Sequence, residues 1–175
     1  MKRIVTFAFS LFILAGLQAQ ESDVQHRLPS IDLTTIYGEP FNTSAIENNG
    51  NPVIISFWAL WCKPCIKELN TIAEVYDDWV EETGVTLYAV SVDDSRSSAK
   101  VGPTANGNGW EFEILLDKNQ EFKKAMNVNM IPHTFLLDGK GNIVWQHTSF
   151  SEGSELELIE KVRKVARGEK PDNTH

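Results

Sequence analysis

The chain has 175 residues, 42% of them hydrophobic and 23% charged, a composition that suits one compact domain and excludes a disordered or fibrous protein. Its 16 basic residues stand against 24 acidic ones, a net charge of −8. That balance argues against nucleic acid and anionic membrane as partners, because both demand positive protein surface to offset phosphate.

At the N-terminus, Lys2 and Arg3 precede an apolar run over residues 4–17 that closes on Leu17-Gln18-Ala19. A charged start, a short apolar stretch and a small final residue make a secretory signal peptide, so residues 1–19 are expected to be removed and residues 20–175 to form the domain. The run is shorter than the ~20 residues of a membrane-spanning helix. A soluble, monomeric protein in the periplasm, or otherwise exported, is expected. Loss of Lys2 and Arg3 from the 16 basic residues leaves 14 against 24 acidic ones, a charge of −10.

Past a polar stretch, residues 30–36 and 40–42 flank Tyr37-Gly38-Glu39 and read as a hairpin. Residues 53–59 are unbroken apolar sequence, suited to a strand covered on both faces. From 63 to about 83, Leu69, Ile72, Ala73, Tyr76, Trp79 and Val80 recur at helical spacing and Gly84 supplies a stop, which predicts one amphipathic helix. Residues 85–92 complete a strand-helix-strand unit with parallel strands. Residues 93–110 read as a broken helix and loop, because Gly102, Pro103, Gly107 and Gly109 interrupt them. A strand over 112–116, a helix over 119–126, and a hairpin of strands 131–137 and 142–147 around Asp138-Gly139-Lys140-Gly141 follow. The last helix starts at Ser154, whose hydroxyl is expected to form a capping box with Glu157, and runs to Gly168 before a loose polar tail.

The two cysteines of the chain lie in Cys62-Lys63-Pro64-Cys65, where the buried strand meets the first long helix. Unpaired N–H groups and the dipole of a helix start favour a thiolate, which makes an exposed Cys62 the nucleophile. Cys65, one turn on and on the same face, is placed to close a disulfide with it and to act as the resolving thiol. Pro64 is tolerated there because the first turn needs no N–H from it. Two other uses of the pair have to be weighed. A closed zinc site needs four ligands, whereas no second cysteine pair exists and His133 and His147 are badly spaced. A structural disulfide over so small a ring removes little entropy from the unfolded chain.

The run from Phe57 through Trp61 to Cys65, the later Ile131-Pro132 and the strand-turn-strand over 135–144 resemble the thioredoxin superfamily. The hairpin at Gly38 and the extra segment over 93–111 are similar to additions in its TlpA-type branch of exported thiol-disulfide oxidoreductases. The resemblance implies an α/β thioredoxin-like fold, with a central mixed sheet flanked by helices and an added N-terminal hairpin. It also implies that Pro132 is cis and faces the cysteines, that Ile131 offers its backbone to an extended substrate, and that Trp61 packs against the site and shapes its mouth. Glu68, one turn beyond Cys65, takes the place of a proton-handling carboxylate, since Ser56 stands where cytosolic thioredoxins carry a buried aspartate. His133 replaces the threonine common after the proline and reads as a half-buried strand residue.

The expected activity is disulfide exchange with protein substrates, without cofactor or metal, driven by an electron-donating thiol protein outside the cytoplasm. The branch often serves cytochrome c maturation or related thiol repair, which points to reduction, although Lys63 beside Cys62 favours its thiolate and a more oxidising pair. Two rivals use the same cysteines: a Cu(I) carrier with Cys62, Cys65 and His133 as soft ligands, and a thiol peroxidase attacking through Cys62.

Overall fold

A computed structural model describes residues 28–47 and 49–172. The signal peptide expected over 1–19 and the polar stretch before Leu28 lie outside the described residues. Seven strands form one mixed sheet in the order β2-β1-β5-β4-β3-β6-β7. At its centre is β3 (Val53–Trp58), every residue of which is buried, as its apolar run required of a strand covered on both faces. It pairs in parallel with β4 (Thr86–Ser91), and β4 pairs in parallel with β5 (Glu113–Leu116). On the other side β3 runs antiparallel to β6 (His133–Leu137), which pairs with β7 (Ile143–Thr148). The N-terminal hairpin forms as expected from β1 (Asp32–Thr35) and β2 (Pro40–Asn42), and it extends the sheet because β1 pairs antiparallel with β5.

Strand alternation splits the neighbours of β3 between two faces. Phe57 packs on Phe122 and Phe135, with ring centroids 5.2 and 6.1 Å away, whereas Trp58 on the opposite face meets Trp110 edge-on at 4.9 Å. Phe122 comes from the short helix α4 (Glu121–Ala125), so the sheet is flanked by helices as expected. The face that carries Ser56 and Trp58 is the one that meets the cysteine-bearing helix.

Several expectations need correction. The single helix over 63–83 is two helices, α1 (Lys63–Ala73) and α2 (Tyr76–Thr83). The chain leaves helical geometry at Val75, with φ −126° and ψ 5°, and the Tyr76 phenol oxygen then accepts the Leu87 N–H of β4. Val80 lies on the exposed side of α2. In the segment over 93–110, a 3-10 turn (Ser98–Lys100) leads into α3 (Val101–Gly107); Gly102 and Pro103 fall in its first turn, where a missing N–H costs nothing. The capping box does not form: α5 (Ser154–Ala166) is preceded by Gly153 at φ 89°, without a side-chain cap, and Glu157 pairs instead with Lys161 at 3.1 Å. The tail is held as far as Asp172, whose carbonyl accepts from Lys161 Nζ at 2.8 Å and whose carboxylate pairs with Lys164.

Candidate active site

The end of β3 delivers the chain to the cysteines through a short loop. The Leu60 N–H donates to Asp93 Oδ2 at 2.9 Å, and the same oxygen accepts from the Ser91 hydroxyl at 2.9 Å, so a buried carboxylate past the end of β4 fixes the approach. The sequence reading missed Asp93; its only signal was a lone acid directly after a buried strand.

Cys62 occupies the N-cap of α1 and is joined by a disulfide to Cys65, with Cα atoms 5.3 Å apart. Its sulfur also accepts from the Cys65 N–H at 3.3 Å, an unpaired donor of the first turn. Pro64 sits in that first turn, as expected. One expectation is overturned. Cys62 is 4% exposed and Cys65 1%, so the two sulfurs differ by place on the helix and hardly by exposure. Both cysteines lie in the core, with exposed Trp61, Lys63 and Pro64 around them in the chain.

Trp61, directly before Cys62 in the chain, stands 70% exposed. Met130, which the sequence reading passed over, is 63% exposed one residue before Ile131. The Ile131–Pro132 bond is cis, as the resemblance implied, and Pro132 itself is buried. His133 is directed elsewhere: its Nε2 meets Gln146 Oε1 at 3.1 Å and its Nδ1 meets Thr148 Oγ1 at 2.9 Å, while burial lowers its pKa. Among the described residues no group of three His, Cys, Asp or Glu side chains is arranged to hold a metal ion.

Glu68 is the unusual group of the site. It is 6% exposed, on the buried side of α1 one turn beyond Cys65. Oε1 accepts from Thr134 Oγ1 at 3.0 Å, and Thr134 Oγ1 lies 3.3 Å from Ser56 Oγ. Ser56 and Thr134 face each other across the β3–β6 ladder. Oε2 is buried without a hydrogen-bond partner. Burial pushes the carboxyl from 4.5 up to about 7, the Thr134 hydroxyl acting in the opposite sense. A buried carboxyl with so raised a pKa, one helical turn from the CxxC disulfide, is the kind of perturbed group that marks candidate functional sites.

A thioredoxin-like α/β fold with a CxxC disulfide capping its first long helix defines a thiol-disulfide oxidoreductase class of protein, and the comparisons agree. Residues 24–146 match the AhpC/TSA family, and the chain belongs to it. Sporulation thiol-disulfide oxidoreductase A of Bacillus subtilis is 32% identical over 146 residues, covering 81% of this chain and 87% of the relative. Thiol-disulfide oxidoreductase ResA of Bacillus anthracis is 28% identical over 156 residues, covering 88% and 87%. Among solved structures, a thioredoxin-like protein from Porphyromonas gingivalis is 54% identical with a TM-score of 0.72, covering 80% of this chain and 92% of that one. The relatives are thus named for thiol-disulfide exchange, and the Cys62–Cys65 disulfide fits it.

Proposed function

We propose that this chain is an exported thiol-disulfide reductase that transfers two electrons from the Cys62–Cys65 dithiol to a disulfide in a protein substrate. The observation that carries this reading is the disulfide between an N-cap cysteine and its first-turn partner, next to a buried carboxyl with a pKa of about 7.

In the reduced protein the Cys62 thiolate, favoured by first-turn N–H groups, attacks one substrate sulfur. The substrate S–S bond breaks, a mixed disulfide to Cys62 forms, and a substrate thiolate leaves. Glu68 takes the Cys65 proton, and the Cys65 thiolate attacks Cys62 Sγ. The protein disulfide closes and the second substrate thiolate departs, so the substrate gains the two electrons that the dithiol loses. An electron-donating thiol protein restores the dithiol. Trp61, Met130 and the Ile131 backbone supply the rim against which an extended substrate lies, with Pro132 beneath it. Export rests on the N-terminal sequence pattern, and among the described residues no helix is long and apolar enough to cross a membrane. The resemblance to the TlpA-type branch makes the cysteine pair of an immature c-type cytochrome the substrate to try first.

Turnover of insulin disulfides, with dithiothreitol supplying electrons, tests the reading. The wild-type protein accelerates insulin reduction and Cys62→Ser abolishes the acceleration. Undiminished turnover by Cys62→Ser would sink it.

A further inference from the structure

A hydroxyl has one proton to give. Thr134 Oγ1 lies 3.0 Å from Glu68 Oε1 and 3.3 Å from Ser56 Oγ, and Ser56 and Thr134 are both buried. When Glu68 is ionised, the Thr134 proton must point at the carboxylate, because a carboxylate only accepts. The Ser56 hydroxyl then donates to the lone pair left on Thr134. The result is a directed chain from Ser56 through Thr134 to Oε1, set by the cross-strand register that puts Ser56 opposite Thr134. Nothing in the described residues bonds Oε2, which is therefore the oxygen free to receive a proton.

We propose that Thr134 is a positioning residue of the site, holding Glu68 through Oε1 so that Oε2 is the atom that exchanges protons with Cys65, and that Ser56 orients the Thr134 hydroxyl for this task. The proposal deepens the reading of Glu68 as the proton acceptor and rests on it. The proton balance is simple: the Cys65 S–H bond breaks, an O–H bond forms at Oε2, and Glu68 then releases that proton to the departing substrate thiolate, which leaves as a thiol. The hydrogen bond from Thr134 favours the ionised carboxyl and opposes the burial that raises its pKa. The groups facing Glu68 leave little else to tune it. The facing strands contribute uncharged Ser56 and Thr134, and on the Glu68 helix the two cysteines are joined as a disulfide while Lys63 stands exposed at the helix start. Lys67 is exposed and pairs with Glu152, and His133 on β6 bonds to β7.

The test has two readouts. In the oxidised protein, the Glu68 side-chain carboxyl is titrated by carbon-13 NMR in wild type, Thr134→Val, Thr134→Ser and Ser56→Ala. Thr134→Val keeps the shape and removes the donor, so its midpoint rises by about one pH unit, a tenfold change in the ionisation constant. Ser56→Ala moves it the same way by less, and Thr134→Ser restores the wild-type value. Single-turnover resolution of a mixed disulfide on Cys62, followed from pH 5 to 9, then shows the Thr134→Val profile displaced upward, with rates about tenfold lower on the acid limb. An unmoved titration midpoint in both Thr134→Val and Ser56→Ala would overturn the proposal. Glu68→Gln separates the two ideas: wild-type resolution with a wild-type profile in that variant overturns the base role itself. Slowed resolution in Glu68→Gln alongside a wild-type profile in Thr134→Val overturns the positioning role alone.

Discussion

Replacing Glu68 by glutamine should change how stability depends on pH as well as how the site turns over. The carboxyl is 6% exposed, so no solvent screening softens the energetics of its ionisation. Its pKa rises from 4.5 in the unfolded chain to about 7 in the fold. Because the folded pKa of this acid is raised, the fold retains a proton that the unfolded chain has released. The stability associated with the neutral carboxyl is thus full below pH 4.5 and is lost as pH climbs to about 7. At ~1.4 kcal/mol for each tenfold change, the loss is on the order of 3 kcal/mol. Glutamine keeps the shape and never ionises. Urea denaturation of the oxidised wild-type and Glu68→Gln proteins from pH 4 to 8 reads the difference directly, because other titrating groups contribute equally to both. The stability of the variant relative to wild type should grow across that window by that amount and then level off. Parallel stability curves across the window would refute the reasoning, since they would mean that Glu68 ionises in the fold as it does in the unfolded chain.

Other substitutions and labels test other parts of the structure. A substoichiometric pulse of iodoacetamide on the reduced protein should label Cys62 ahead of Cys65, because only Cys62 is the N-cap facing the unpaired first-turn donors; preferential labelling of Cys65 would reverse their roles. Asp93→Ala should cost about 1–3 kcal/mol in chemical denaturation by leaving the Leu60 N–H and the Ser91 hydroxyl without their acceptor, with Asp93→Asn recovering most of it. A Cβ on Gly139 would stand 1.8 Å from the Gly50 carbonyl oxygen, so Gly139→Ala should destabilise by about 1–3 kcal/mol or more. In Gly107, inside α3 with open space where a Cβ would go, the same change should be neutral or stabilising by about 0.4–1 kcal/mol.

The elements that could be read from the sequence are those whose signal is local. The unbroken apolar run of β3, the turn at Gly38 and the Asp138–Gly141 connection each carry their own chemistry, and each forms where expected. The break between α1 and α2 had no such signal: apolar spacing runs on through Val75, and it is the contact of Tyr76 with the β4 backbone that marks the new direction. The failed capping box is a related case, since Ser154 and Glu157 had the right spacing while Gly153 turned the chain in ahead of them. In the site, spacing alone placed Cys62, Cys65 and Glu68 on one helix. The burial of Glu68 and its bond to Thr134 depend on which residue of β6 stands opposite Ser56, and register between distant strands is not written in either strand alone. Asp93 was hidden for the same reason, its partner lying 33 residues earlier in the chain.

Trapping the mixed disulfide tests the central claim most directly. Cys65→Ser removes the resolving thiol and leaves Cys62 able to attack, so a substrate disulfide should remain covalently attached. Incubation of reduced Cys65→Ser with an oxidised peptide, followed by mass spectrometry of the digest, should find one peptide joined through Cys62. The matching Cys62→Ser protein should carry none. Attachment through Cys65 in Cys62→Ser at the same rate, or no adduct on Cys62 in Cys65→Ser, would contradict the assignment of this chain's chemistry to an attacking Cys62 and a resolving Cys65.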